Sequence, residues 1–283
     1  MSGQINTNIN SRVISLVSNV EIHQQLEKYF EMEEIEEQRP QSEENAYCEE
    51  HFLRTHKRNN NGTYTVAISF KQPIHPLGES KAKAAARLLQ LEKRFLTDNR
   101  LETDYTKFMF EYLDLEHMTL AAPIPHNAIA YYIPHQAVIK MDSTTTKLRV
   151  VFDASCKTTN GQSLNSTMYI GPKLQNDLSQ ILLRWRKYQF VFTADVEKMY
   201  RQIHIREEDQ IYHRVLWRWN QSEPIQEYQM TTVTFGVAAA LYLAIRTLQQ
   251  LAVDERNNFP KAAETVLHDF YVDELMSGDT NLF

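Results

Sequence analysis

The strongest constraint on the fold is the stretch HDFYVDELMSG, residues 268–278, where two adjacent acids interrupt a run of apolar and aromatic residues. An unpaired carboxylate is costly to bury, and two neighbouring carboxylates also repel each other. The flanking residues have the composition of a β-strand. We therefore expect two strands with Asp273 and Glu274 in the turn between them, facing water or neutralised by a bound cation.

A second acid stands in a comparable position, because Asp195 ends the apolar segment QFVFTAD, 78 residues before Asp273. If the two strands are neighbours in one sheet, their carboxylates converge at one edge. Converging carboxylates without His or Cys favour Mg²⁺ or Mn²⁺. Two such ions about 3.5–4 Å apart can hold both oxygens of an in-line phosphoryl displacement. The spacing alone leaves an alternative, in which both acids are strand-end caps or members of salt bridges.

Two basic residues flank the polar segment KMDSTTTKLR and are candidates for phosphate binding. Lys140 and Arg149 would project from a β-hairpin, where cations can hold a triphosphate and Arg can bind it through two parallel hydrogen bonds. Two solvated surface cations are the alternative. The sequence has no Walker-type loop and no G-x-G-x-x-G motif that would provide a different phosphate-binding loop.

Helical and strand patterns alternate without a regular βαβ rhythm, which indicates an α+β fold. The segment GESKAKAAARLLQLEKRFL predicts an amphipathic helix, with Ser80 as its N-cap and an apolar stripe of Leu88, Leu91 and Phe95. A second helix is expected over Asp104–Leu115. Both helices belong to the first half of the chain, whereas most of the predicted strands follow them.

Other elements follow from periodicity and turn residues. Near the N-terminus we expect a helix over VEIHQQLEKYFEME, an acidic connector, a second helix and a strand over Tyr64–Phe70. Two β-rich segments surround the turn at Asp142–Thr146, and a helix covers GPKLQNDLSQILLRWRKY. The segments IYHRVLWRWN and IQEYQMTTVTF predict a meander. A long apolar helix, GVAAALYLAIRTLQQLAVDE, precedes TVLHDFYVDELMSG, which is expected to form strand, acidic turn and strand.

Cysteine content and charge limit the cellular compartment and the kinds of partner that can be expected. Cys48 and Cys156 provide no disulfide framework, so we expect an intracellular protein. No apolar run is long enough for a membrane span, and no signal-peptide core is present, so no membrane partner is expected. The net charge is −6, but residues 21–50 carry −9 of it, which leaves +3 for the remainder. The charge therefore permits a nucleic-acid partner without indicating one.

Nine segments, taken in order, together resemble the reverse transcriptase of BEL/Pao long-terminal-repeat retrotransposons. They are CEEHF, LGESKAKAAARLLQLEKRF, YYIPHQAVIK, KLRVVFDAS, GQSLN, GPKLQNDLSQILLRWR, ADVEKMYRQI, TVTFG and DFYVDEL. The similarity runs from about Glu31 to Gly278, nearly the whole chain. The resemblance implies a right-hand polymerase, of which this chain would hold the fingers and palm, with an antiparallel palm sheet and accompanying helices, and would lack the thumb.

The resemblance also implies a role for each matching residue. Asp195 would be the first catalytic aspartate, and Asp273 and Glu274 the acid pair of the Tyr-x-Asp-Asp turn, so that all three would be catalytic and metal-binding. Tyr200 would be the aromatic gate that excludes ribonucleotides by crowding the 2′-hydroxyl. Four further residues would bind the nucleotide: Lys140 and Arg149 at the triphosphate, and Phe235 and Gly236 along the nucleotide and template side.

The function implied by the resemblance is RNA-directed DNA polymerase activity, with Mg²⁺ or Mn²⁺, dNTPs and a primer on an RNA or DNA template. The setting would be a Pol polyprotein in the cytoplasm, within a virus-like particle of the parent element. The expected regions are residues 1–50 as an N-terminal helix and acidic connector, 51–130 as an extension leading into the fingers, and 131–283 as fingers and palm.

Three departures from the family pattern accompany the resemblance. Glu274 replaces the usual Asp, and Leu241 stands where the family usually has Pro. The sequence ends at Phe283, where a thumb, an RNase H domain and an integrase would normally follow, so we expect a fragment of a Pol polyprotein. The alternative function is that of a non-catalytic remnant, which keeps the polymerase fold and at most binds nucleic acid or a partner.

Overall fold

The computed structural model describes residues 42–71, 77–126, 128–139 and 148–280. These residues form a mixture of helices and small sheets, so the predicted α+β class is confirmed. Residues Glu43–Phe283 belong to one compact unit, and the expected boundaries near residues 50 and 130 stay predictions. The predicted helix VEIHQQLEKYFEME and the predicted turn at Asp142–Thr146 lie outside the described residues.

Helices form where the amphipathic patterns predict them, with shifts at several ends. The α-helices of the described residues are α1 (Glu43–Thr55), α2 (Lys81–Phe95), α3 (Asn99–Asp114), α4 (Leu178–Trp185), α5 (Ala240–Glu255) and α6 (Pro260–His268). The predicted stripe of Leu88, Leu91 and Phe95 is buried on the inner side of α2. The amphipathic pattern therefore identifies the buried side of this helix correctly.

The predicted N-cap position of Ser80 on α2 is confirmed, but its side chain makes no capping hydrogen bond. Ser80 is buried, and its hydroxyl accepts a hydrogen bond of 2.9 Å from the backbone N–H of Tyr132. A buried backbone donor needs a partner, which accounts for this use of the hydroxyl. The carboxylate of Glu79 serves the helix instead, accepting from the N–H of Ala82 at 2.9 Å.

Two other element boundaries differ from the prediction. Helix α3 begins at Asn99 rather than at residue 104, because the side chain of Asp98 caps it by accepting from the N–H of Leu101 at 2.9 Å. The segment TVLH, predicted as strand, is the last turn of α6. That helix begins at Pro260, a residue whose fixed φ suits a first helical position.

Within the described residues the strands form four small sheets. The strands are β1 (Lys57–Arg58), β2 (Tyr64–Val66), β3 (Met118–Leu120), β4 (His135–Ile139), β5 (Leu148–Phe152), β6 (Phe190–Asp195), β7 (Ile203–Ile205), β8 (Arg214–Trp217), β9 (Gln226–Met230), β10 (Phe270–Tyr271) and β11 (Glu274–Asp279). The sheet orders are β1-β2-β7, β3-β9-β8, β10-β11-β6 and β4-β5, and among these strands only β2 and β7 pair in parallel. The predicted β8–β9 meander is confirmed, and the strand expected over Tyr64–Phe70 ends early, at Val66.

A cluster of buried aromatic residues lies among α2, α3, β4 and β8. The ring of Tyr105 lies 5.6 Å from the ring of Trp217, and Phe95 meets Trp217 edge-on. His135 is fully enclosed, with one ring nitrogen 2.6 Å from the Tyr105 hydroxyl and the other 2.9 Å from the Leu216 carbonyl oxygen. Since a carbonyl only accepts, Nε2 carries the proton and Nδ1 accepts from the tyrosine.

Candidate active site

The β10–β11 hairpin carries the acid doublet, with Asp273 in its loop as expected and Glu274 in the first position of β11 rather than in the turn. Tyr271 pairs with Glu274 across β10 and β11, which leaves Val272 and Asp273 as a two-residue loop. Val272 has φ of 61°, while Asp273 has negative φ, the combination found in type II′ turns. Glycine normally takes the first position of that turn. A β-branched residue there is strained by about 1–3 kcal/mol, and such strain is concentrated at functional sites.

The base of this hairpin is fixed by a group of buried and half-buried hydrogen bonds. The carboxylate of Asp269 accepts from the Ser277 hydroxyl at 2.7 Å and lies 3.5 Å from Nε of Arg184 on α4. Asn176 donates to the carbonyl oxygens of Leu267 and Phe270, at 3.0 and 3.3 Å. The surrounding structure therefore holds both ends of the strained turn in place.

Asp195 lies directly beside the doublet, because β6 pairs antiparallel with β11 in a register that sets Asp195 opposite Glu274. Opposite residues of an antiparallel pair have Cα atoms about 4.5–5.5 Å apart and share one face of the sheet. The next residue, Val196, donates its N–H to the carbonyl oxygen of Asp273 at 3.0 Å. The prediction that these two strands are neighbours is confirmed.

The three acids present oxygen atoms to solvent. Asp195 and Glu274 are exposed and Asp273 is half-buried, and none of them takes part in a hydrogen bond or ion pair through its carboxylate within the described parts of the chain. In those parts no three His, Cys, Asp or Glu side chains are grouped closely enough to hold a metal ion by themselves. Mg²⁺ usually takes one or two carboxylates and completes its shell with water and substrate phosphate. This oxygen-only donor set fits such an ion.

Tyr200 lies near Asp273, close enough for the charge of that carboxylate to act on its phenol. The residue belongs to a short 3₁₀ turn, Met199–Gln202, that follows β6, and it is 6% exposed. Burial, and secondarily the negative charge of Asp273, raise the pKa of the Tyr200 phenol. Its ring centroid is 4.0 Å from that of Phe235, at an interplanar angle of 41°. The structure therefore brings Tyr200, Phe235 and the hairpin acid together.

The segment after β9 carries Phe235 past the end of β5. Phe235 is 63% exposed. Gly236 has φ of 97°, and a Cβ atom added there would overlap the backbone carbonyl oxygen of Phe152. Glycine is required at this position both by the backbone conformation and by the close approach of β5. Of the two predicted nucleotide-side residues, Phe235 thus contacts Tyr200, and Gly236 lies against the end of β5.

Of the two predicted phosphate-binding residues, the structure describes Arg149 and does not describe Lys140. Arg149 is an exposed residue of β5, opposite Val138 in the antiparallel β4–β5 pair, so the predicted pairing of these strands is confirmed. Its guanidinium makes no hydrogen bond or ion pair with the residues that the structure describes, and no contact joins it to the acids. Lys140 lies outside the described residues. The phosphate-binding role of both residues stays a prediction.

Two features of the site were not singled out from the sequence. One is the positive φ of Val272, for which a β-branched residue gives no sequence signal. The other is Asn165, in the segment GQSLN, whose side chain makes one hydrogen bond to Ser155 and two to the backbone of Gly236 and Ala238. Asparagine is common in turns because its amide can bond to nearby backbone. That preference indicates a local role and gives no sign of a partner about 70 residues away.

Comparison of the chain with known protein families and with curated proteins finds no match to either. Among the helices in the described part of the chain, none has the length and apolar character needed to cross a membrane.

Proposed function

We propose that this chain is the fingers–palm region of a reverse transcriptase, which transfers a nucleotidyl group from a dNTP to a primer 3′-hydroxyl. The observation that carries the proposal is the β6–β11 register, which sets Asp195 opposite Glu274 and joins Val196 to the carbonyl of Asp273. Acids from distant parts of the sequence thereby meet at one exposed sheet end. The ordered resemblance to BEL/Pao reverse transcriptases gives the arrangement its chemical interpretation.

Each residue would act on the nucleotide or the cation in a simple way. The carboxylates of Asp195 and Asp273 would hold Mg²⁺, with Glu274 as the third acid. The ion would supply positive charge that neutralises the triphosphate and the developing charge of the transfer. The ring of Tyr200 would limit the space for the sugar on one side, because it is buried and packs against Phe235. Arg149 would meet the triphosphate from β5.

A primer-extension assay tests the proposal. The 283-residue chain is incubated with an annealed RNA–DNA template–primer, one dNTP and Mg²⁺ at low ionic strength, since phosphate contacts weaken steeply with salt. We expect single-nucleotide incorporation that Asp195→Asn reduces at least about 10³-fold. The matched control is Asp104→Asn, an exposed acid on α3 whose nearest basic partner, Arg100, is 3.8 Å away.

A second arm of the same assay concerns sugar selection. Removing the Tyr200 ring in Tyr200→Ala opens the space that a 2′-hydroxyl would occupy, so the rate with an rNTP should rise relative to that with the matching dNTP. An unchanged ratio would remove Tyr200 from the nucleotide site. It would leave the metal-binding role of the acids standing, because those carboxylates lie on different residues.

The second candidate function is a non-catalytic polymerase-like module that binds nucleic acid. The observation that favours it is Glu274, which stands opposite Asp195 with one methylene more than the usual aspartate. Template–primer binding by the wild-type chain without incorporation at any dNTP or Mg²⁺ concentration would favour this candidate. Incorporation that depends on Asp195 would exclude it.

A further inference from the structure

Asn165 occupies a central place beside the proposed nucleotide site. It begins a short 3₁₀ turn, Asn165–Thr167, and its backbone N–H donates to the carbonyl oxygen of Ala154 at 3.1 Å. Its side-chain nitrogen donates to the Ser155 hydroxyl at 2.8 Å and to the Gly236 carbonyl oxygen at 2.9 Å. Its side-chain oxygen accepts from the N–H of Ala238 at 2.8 Å. One amide thus joins the segment after β5 to the segment between β9 and α5.

The orientation of this amide follows from its partners. A backbone carbonyl can only accept and a backbone N–H can only donate, so Gly236 must face the NH₂ group of Asn165 and Ala238 must face its oxygen. An aspartate would have the same size and would still accept from Ala238. It would set a negative oxygen against the Gly236 carbonyl, where both atoms are acceptors. Asparagine is therefore the only residue of that size that satisfies both backbone groups.

The two backbone groups follow Phe235 in the chain and lie on either side of Val237. The carbonyl of Gly236 is held by Asn165, and a side chain is excluded at Gly236 by the close approach of Phe152. Phe235, immediately before it, is largely exposed, and its ring contact is with Tyr200. A ring that is largely exposed is held less by burial than a core ring is. The position of the backbone on its C-terminal side therefore contributes to where the ring lies.

We propose that Asn165 is a positioning residue, which fixes the Phe235–Gly236 turn against Tyr200 and so shapes the wall of the dNTP-binding site. The inference rests on the proposed polymerase function, and it assigns Asn165 no contact with the nucleotide. Replacing Asn165 should change the affinity for dNTP and the preference for dNTP over rNTP. The acids that hold the cation lie on β6 and on the β10–β11 hairpin, which Asn165 does not touch.

The test measures single-nucleotide incorporation by the full chain with Asn165→Asp. Asn165→Asp loses a hydrogen bond at a solvent-accessible carbonyl and sets two acceptors against each other, so the KM for dNTP should rise about fivefold. We expect kcat to fall by less than about threefold and the Kd for template–primer to stay unchanged. The preference for dNTP over rNTP should decrease, a result that a merely structural role of Asn165 would not produce.

The matched control is Asn220→Asp, which makes the same chemical change at a distant turn. The side-chain oxygen of Asn220 accepts from the N–H and the hydroxyl of Ser222, at 2.9 and 2.8 Å, and an aspartate can do the same. Its KM should equal that of the wild type. If Asn165→Asp does not fold, Ser155→Ala serves instead, because it removes one anchor of the amide. It should raise KM by about twofold.

Each result decides between the possibilities. Wild-type incorporation with an unchanged KM in both Asn165→Asp and Ser155→Ala would overturn the role of Asn165 and leave the polymerase proposal standing. Equal losses of kcat, template–primer affinity and thermal stability would make Asn165 a structural residue and also overturn the inference. No incorporation by the wild-type chain would overturn the polymerase proposal and, with it, this one.

Discussion

Strands β8 and β6 have similar compositions and opposite environments. All four residues of β8, the segment RVLW, are buried. All six residues of β6, the segment FVFTAD, are exposed, including Phe192 at 53%. Composition and period alone would assign both segments to a core. The difference must therefore arise from what each strand meets in the folded chain.

The neighbours of the two strands explain the difference. Helix α2 packs on β8, where the ring of Trp217 meets those of Phe95 and Tyr105. Strand β6 is hydrogen-bonded to β11 along one edge, and its other edge pairs with no strand in the described residues. Helix α4 packs against β11 rather than over β6. One strand thus belongs to the part that stabilises the fold, and the other presents an acid at an open surface.

The comparison predicts a large difference in stability between two aromatic truncations. Trp217→Ala removes a buried ring and leaves a cavity, so the free energy of unfolding should fall by about 3–5 kcal/mol. Phe192→Ala removes an exposed ring and should cost less than about 1 kcal/mol. Denaturant unfolding of both variants measures the difference. Similar losses would mean that β6 is covered in solution, for instance by another molecule.

The second prediction concerns Glu274, the exposed acid at the start of β11. The extra methylene of Glu274 moves its carboxylate about 1–1.5 Å from where an aspartate would lie, and an error of about 1 Å can cost on the order of 10²-fold in rate. Glutamate can recover part of this through its side-chain rotamers. We therefore expect Glu274→Asp to raise kcat for nucleotide incorporation by about tenfold, without changing the affinity for template–primer.

The control for that variant is Glu102→Asp, at an exposed position in the first turn of α3. It makes the same chemical change away from the sheet end, and its kcat should match the wild type. An equal or lower kcat in Glu274→Asp would show that the site is built around a glutamate. The non-catalytic alternative would then lose the observation that favours it.

The third prediction contrasts the pH response of the enclosed region with that of the surface. Burial lowers the pKa of His135, so the folded chain keeps this ring neutral where the unfolded chain binds a proton. Stability is therefore retained above the unfolded pKa of about 6.5. It falls as the pH drops below that value, by up to about 1.4 kcal/mol per pH unit for this residue. Denaturant unfolding between pH 7 and pH 5 measures the slope.

Replacement of the histidine should make that slope smaller. His135→Gln should weaken the pH dependence and leave a residual slope, because burial also lowers the pKa values of His213 and His51. His268→Gln is the control, since this ring is 61% exposed and lies 3.3 Å from Glu264. A slope unaffected by His135→Gln would contradict the account of a neutral, enclosed imidazole.

The sequence predicts the elements well where local pattern and tertiary environment agree. The stripe on α2 fixes which side of that helix is buried, and the acidic interruption in FYVDEL predicts a turn that the structure contains. The convergence of the two strand-end acids requires β6 and β11 to be adjacent strands, and they do pair in the structure. In these cases the residues that form the sequence pattern are the same residues whose burial or exposure drives folding: apolar side chains are buried and charged ones are exposed.

Other features depend on partners distant in sequence, and the sequence gives no sign of them. The hydroxyl of Ser80 accepts a hydrogen bond from the backbone N–H of Tyr132 instead of capping its own helix, because the backbone of Tyr132 lies against it in the fold. The exposure of β6 depends on which elements fail to cover it. The bonds from Asn165 to Gly236 and Ala238 join segments that meet only after the chain has folded. No local propensity encodes such a meeting.

The central claim is that the acids at the end of the β6–β11 pair hold a divalent cation together with a nucleotide. Titration of Mn²⁺ into the chain with dNTP present, followed by electron paramagnetic resonance, tests it without requiring turnover. Asp195→Asn and Asp273→Asn should each weaken Mn²⁺ binding at least about tenfold, because each removes a carboxylate from the site. Asp104→Asn should bind Mn²⁺ like the wild type. Equal Mn²⁺ affinities in all four proteins would contradict the account.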